Sequence, residues 1–145
     1  MNVSAIPEGK TLNPPASAQA ITDVSRFLPA ELPEDYAALL AQADGVAADH
    51  FTLYSCEELP ERNATFQIGE YLPGFVIVGG DGGGSALIMR SGLGRSPIFL
   101  VGHGAMFPEF MVLLANSLAE WVAAGCPVDP DAEQNVAGDR GPQPS

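Results

Sequence analysis

The residues most suggestive of chemistry lie in one run, Gly79-Gly80-Asp81-Gly82-Gly83-Gly84-Ser85. A phosphate loop requires GxxxxGK[ST], because its lysine neutralises phosphate and its hydroxyl holds magnesium. Lys10 is the only lysine in the chain, far from this run. A dinucleotide fingerprint needs a third glycine where Ser85 stands and a helix after it, whereas Ser85-Ala86-Leu87-Ile88-Met89 has the character of a strand. The run therefore reads as a glycine-rich hairpin in which Asp81 hydrogen-bonds its own turn. Its bare backbone would also let another molecule approach.

Two histidines, His50 and His103, and two cysteines, Cys56 and Cys126, form no HxxxH, CxxC or HExxH pair, so no metal site is expected. Gly102-His103-Gly104 follows a strand, but a nucleophile elbow puts a nucleophile at the centre and a helix directly after it. Here the centre is histidine and Pro108 delays any helix. Both histidines are expected at the surface, and both cysteines reduced and buried. Glu57, Glu58, Glu61 and Glu70 cluster in sequence. A glycosidase needs two carboxylates across an aromatic-lined cleft, yet the lone tryptophan, Trp121, fits the core face of a helix. The acids read instead as a solvated face that docks onto a basic protein, where rim charges speed association. No catalytic residue and no cofactor are expected. A small hydrolase or ligand-binding protein using His103, Asp81 and the glycine run is the outlying alternative.

The elements that must position these residues follow from hydrophobic spacing. Ile21, Val24, Phe27 and Leu28 mark one face of a helix over Ala18 to Leu28. Leu32-Pro33-Glu34-Asp35-Tyr36 opens a second, with Pro33 in its first turn and Glu34 and Asp35 at its positive end. Tyr36, Leu39, Leu40 and Ala43 continue it, and Asp44-Gly45 stops it. Phe51 to Tyr54 suggests a short strand, and Ser55 with Glu58 a capping box for a helical turn kept brief by Pro60. Phe75 to Val78, Ser85 to Met89 and Ile98 to Val101 read as buried strands joined by hairpin loops, an antiparallel meander. Phe110, Leu113, Leu114, Ser117, Leu118, Trp121 and Val122 suggest a last helix, ended by Gly125 and Pro127. Strands grouped between helices imply an α+β fold: a single domain with a largely antiparallel curved sheet and helices from both chain ends packed on it.

The chain has 145 residues, enough for one domain, and 46% of them are hydrophobic, enough for a core. Six basic residues face 18 acidic ones, a net charge of −12. Such a surface repels phosphate backbones and anionic membranes, so direct nucleic-acid and membrane binding are excluded and a basic protein partner is favoured. No apolar run is long enough to span a bilayer, and the first ten residues show no secretory pattern, so the cytoplasm is the expected location. Residues 1–16 read as a flexible arm, 17–126 as the folded domain, and 127–145 as a disordered acidic tail rich in Pro and Gly. Without the tail's four acids and one base the charge is still −9, so acidity belongs to the domain.

The ordered series of small motifs resembles the SUKH superfamily. Leu32-Pro33-Glu34-Asp35-Tyr36, Leu39-Leu40 and Asp44-Gly45 are similar to its "LPxxY…L…NG" opening. Leu59 and Asn63 match its "eL…N" element, and Leu72-Pro73-Gly74-Phe75, Ile77 and Gly79 to Gly84 its "lpgf.piG.dGgG" centre. The resemblance covers roughly residues 18 to 125. Asp44 departs from the usual asparagine, and Arg90 stands near where many members carry an acid. The superfamily includes Smi/Knr-type regulators of cell-wall assembly and bacterial immunity proteins that bind and neutralise toxins, and it is not known for catalysis. The resemblance thus implies a non-enzymatic immunity protein that occludes a cognate toxin domain, or alternatively a Smi/Knr-type regulatory interaction module. Pro33, Tyr36, Gly45, Gly82 and Gly84 match its motif with structural roles. Asp81 is the motif position expected to contact a partner, alongside Glu57, Glu58, Glu61 and Glu70.

Overall fold

A computed structural model of the protein describes residues 6, 10–92 and 95–128. The tail expected from residue 127 onward lies outside the described residues save Pro127 and Val128, as do most residues before Lys10. Seven strands form one sheet in chain order, and every neighbouring pair is antiparallel. They are β1 (Thr11–Leu12), β2 (Val46–Ala47), β3 (Thr52–Leu53), β4 (Phe75–Gly80), β5 (Ser85–Arg90), β6 (Ile98–Gly102) and β7 (Val112–Ala115). Helices α1 (Ala18–Ser25) and α2 (Glu34–Leu40) precede β2, α3 (Glu58–Thr65) and α4 (Ile68–Tyr71) separate β3 from β4, and α5 (Leu118–Ala123) follows β7. The fold is α+β, with an antiparallel sheet in a single domain.

The middle of the sheet explains its own sequence. Val76, Ile77 and Val78 on β4 and Ala86 to Met89 on β5 are all buried, so neither strand alternates between core and solvent. A bulge at Val78 shifts the β4–β5 register between Ile77 and Gly79. Beyond it, Gly79 and Gly80 stay in the strand and pair with β3, so the connecting loop is only 81–84. Glycine is required at Gly79, because a Cβ there would collide with the Thr52 carbonyl. Tyr36 of α2 is wholly buried, and its hydroxyl donates toward the carbonyls of Tyr54 (2.6 Å) and Val78 (3.1 Å). It ties the second helix to the sheet at the bulge.

Four local expectations change. Residues 11–16 are not a loose arm: Thr11 and Leu12 pair with β2, and the Ala16 N–H bonds the Leu40 carbonyl. A two-residue strand is too short to show a period. Phe27 lies past the end of α1 and is 70% exposed instead of facing the core. The capping box forms in both directions, Glu58 N–H to Ser55 Oγ and Ser55 N–H to Glu58 Oε1, but α3 then runs for eight residues. Pro60 falls within its first turn, where the missing N–H would have no intrahelical partner. Finally, Phe110 to Ala115 is not helical. A 3-10 turn, Pro108–Phe110, leads into β7, and α5 begins only after Ser117, whose Oγ accepts from the Glu120 N–H. Pairing with β6 wins over helical spacing there.

Trp121 lies in the core as its spacing predicts, edge-on to Phe51, and its indole N–H donates to the Pro127 carbonyl at 2.8 Å. Among the described residues no helix is long and apolar enough to cross a membrane.

Candidate functional site

The glycine loop forms its turn through Asp81. Its Oδ1 accepts from the Gly83 N–H at 2.8 Å and the Ser85 N–H at 3.2 Å, and Gly82 takes the positive φ of 79°. The Gly84 carbonyl then receives the His103 N–H at 2.7 Å, which fixes the end of β6 beside the loop.

Against this loop opens a cleft of about 370 Å³, walled by Tyr54 from β3's end, Glu58 and Arg62 from α3, Gly82, Ser85 and His103. Glu58 and Arg62 share a helix face because they are four residues apart. The Arg62 guanidinium lies over the Tyr54 ring, 5.2 Å from its centroid. On the other side of His103 lies a second pocket of about 230 Å³, lined by Phe66, Tyr71, Met106 and Phe107. His103 divides the two. Its ring stacks on Phe66 at 4.1 Å and 9°, so it is not the free surface histidine expected from its glycine neighbours. His103 Nε2 and Arg62 Nε are buried without a hydrogen-bond partner among the described residues.

Burial lowers the His103 pKa below its ordinary range; Asp81 opposes that shift and Arg62 adds to it. Burial also raises the Tyr54 pKa, against the pull of Arg62 and with help from Glu58, Asp81 and Glu61. The cleft thus holds a neutral imidazole and a neutral phenol beside one cation and several carboxylates. It can offer hydrogen bonds and an acidic rim, and its Asp81 oxygen is already bonded to backbone.

Of the acids singled out in the sequence, Glu58 lines the cleft with Tyr54 and Asp81 forms the turn of the loop against it, while the charges of Glu58, Asp81 and Glu61 all raise the Tyr54 pKa. Glu57 is exposed at the start of α3. Glu70 lies apart, on α4, beside a separate groove with Phe27 and Gln67. Pro33 caps α2 and Gly45 takes a φ of 101° after it, while Gly84 has open space around it. Among the described residues no group of three His, Cys, Asp or Glu is placed to hold a metal ion. Cys56 is half-buried and Cys126 buried, both as free thiols. The sequence reading passed over Tyr54, Arg62, Phe66, Tyr71 and Phe107. The one signal for them was the spacing from Glu58 to Arg62, which faces together only if Pro60 is admitted into a helix.

Comparison with known proteins agrees with this architecture. No curated protein matches the chain. The family model of the SMI1 / KNR4 family (SUKH-1) matches residues 15–124, about three quarters of the length, from the turn before α1 to the end of α5. The match includes every element that walls the cleft, and the chain belongs to the SMI1 / KNR4 family (SUKH-1).

Proposed function

We propose that the protein is a non-enzymatic immunity module that binds a cognate toxin domain and neutralises it by covering a basic surface. The observation that carries this reading is the cleft that Glu58 lines against the Asp81 turn, in a chain of net charge −12. A groove built to hold phosphate backbones is cationic, so an acidic face competes for it directly. Family membership supports an interaction role. The two free thiols fit a reducing compartment such as the cytoplasm.

The test begins with the tagged full chain as bait. A retrieved partner that stops growth when expressed alone, and stops doing so when this chain is co-expressed, is the expected result. Affinity for that partner should fall steadily between about 50 and 500 mM salt. A flat salt profile would remove the electrostatic mechanism. A partner that is harmless alone would replace immunity with the regulatory role of Smi/Knr-type modules.

A further inference from the structure

The pocket beyond His103 belongs to a larger aromatic surface that the acidic face does not explain. Tyr71, Phe107 and Phe110 are 45%, 46% and 53% exposed. Their rings nonetheless meet in series, Tyr71 to Phe107 at 6.4 Å and Phe107 to Phe110 at 6.3 Å, both edge-on. Val112 and Leu113, just beyond Phe110 on β7, the last strand of the sheet, are exposed as well. Large aromatic groups left in water this way mark a contact surface. Mutual ring contacts also hold them in place, so little side-chain entropy is lost when a partner arrives.

The charges around this surface say which partner fits. Glu70 precedes Tyr71, and Glu109 lies between Phe107 and Phe110; both are exposed. No lysine or arginine occurs from residue 63 to 89 or from 96 to 119. Arg26, which lines the groove beside Glu70, already faces Asp23 at 3.9 Å, and the Arg62 guanidinium lies over Tyr54, so the balance of charge beside the rings is acidic. A second copy of the chain would bring these acids against their own kind, whereas a cationic protein would neutralise them.

We propose that the pocket between Phe66, Tyr71, Met106 and Phe107 seats one large apolar side chain of a basic partner, whose flanking cations meet Glu70 and Glu109. This rests on the reading of the chain as a module that docks a basic protein, and it divides the work between two regions. Exposed acids accelerate encounter, while the desolvated anchor carries most of the affinity.

The probe is a capped heptapeptide, KKGFGKK, titrated into the isotope-labelled full chain while backbone amide shifts are followed. Saturable shifts at Gly104, Met106 and Phe107 are expected. The serine peptide KKGSGKK and the acidic peptide EEGFGEE should produce much smaller ones. Tyr71→Ser and Phe107→Ser, both at exposed positions, should each weaken binding of the first peptide roughly tenfold or more. Equal shifts with the serine peptide, or shifts confined to Glu57, Glu58 and Glu61, would overturn the anchor. So would concentration-dependent shifts at the same amides without peptide, accompanied by a doubled mass, since the surface would then join two copies. The assay uses no toxin: failed peptide binding removes the anchor alone, and failed growth rescue with peptide binding intact removes immunity alone.

Discussion

The side-chain amide of Asn63 pairs with both backbone groups of Ile77. Its Oδ1 accepts the Ile77 N–H at 2.8 Å and its Nδ2 donates to the Ile77 carbonyl at 3.0 Å, while the same Nδ2 also reaches the Leu59 carbonyl at 2.8 Å. On β4, β3 pairs only with Gly79 and Gly80, so Ile77 faces α3 in place of a strand. One asparagine supplies the donor and acceptor that a neighbouring strand would have supplied. This gives the asparagine of the family's "eL…N" element a physical reason.

Replacing it should therefore be costly. Asn63→Ala leaves two buried backbone groups unpaired, a loss of about 2–4 kcal/mol. Asn63→Asp should fail comparably, because a carboxylate would face the carbonyls of Leu59 and Ile77 without a proton to offer. Urea unfolding of the three proteins, with unchanged slopes, would measure both.

Two glycines of the same motif should respond in opposite ways. Gly79→Ala drives a methyl group into the Thr52 carbonyl and should separate β3 from β4 at a cost of about 3 kcal/mol or more. Gly84→Ala meets open space without a positive φ and should change stability by less than about 0.5 kcal/mol. Thermal unfolding of the pair separates backbone approach from loop freedom.

His103 should make the fold sensitive to mild acid. Its pKa is depressed in the folded protein, chiefly by burial, below the ordinary 6.5. As pH falls through 6.5, the unfolded chain takes up a proton that the folded chain refuses, so stability falls. The contribution is fully present above 6.5 and is lost toward the lower, folded-state pKa. His103→Phe keeps a ring to stack on Phe66 and cannot titrate. The difference in unfolding free energy between wild type and variant, followed from pH 8 to pH 5, should move against wild type across that window. No change in the difference would mean that the imidazole titrates normally.

The thiols should be inert while the fold is intact. Burial, reinforced by the Asp44 carboxylate, pushes Cys56 up to about 12, and burial pushes Cys126 up to about 11. An ordinary thiol near 8.5 is a substantial fraction thiolate at pH 8. Both cysteines should react with an aromatic disulfide at least about a hundredfold more slowly in the native protein than in urea, where two equivalents react promptly.

The elements that could be read from the sequence are those with strong local signals. The three apolar strands, the Ser55–Glu58 capping box, the Asp81 turn and the place of Trp121 in the core all depend on residues within a few positions of each other. What could not be read depends on distance or on competing patterns. The stack of His103 on Phe66 joins residues from the end of β6 and the end of α3, and nothing in either neighbourhood announces it. Phe110, Leu113 and Leu114 fit a helical face and an edge strand equally well, and only pairing with β6 decides between them. Pro60 suggested an end to the helix when it occupies a beginning. The acids clustered in sequence, yet Glu70 separates from Glu58 in space, and the Asp81 turn borders the Glu58 cleft from another element.

A sheet laid out in chain order also has a consequence for biosynthesis. Each strand's partners are the strands made immediately before and after it, so hydrogen-bonded pairs can accrue as the polypeptide leaves the ribosome, with modest stretches of chain to close at each step. One exception is the contact between α2 and α5, which joins an early helix to the last one. Until α5 emerges, the Trp121 side of the core has no cover. The final turns of the domain therefore act as the seal on a structure whose sheet is already in place.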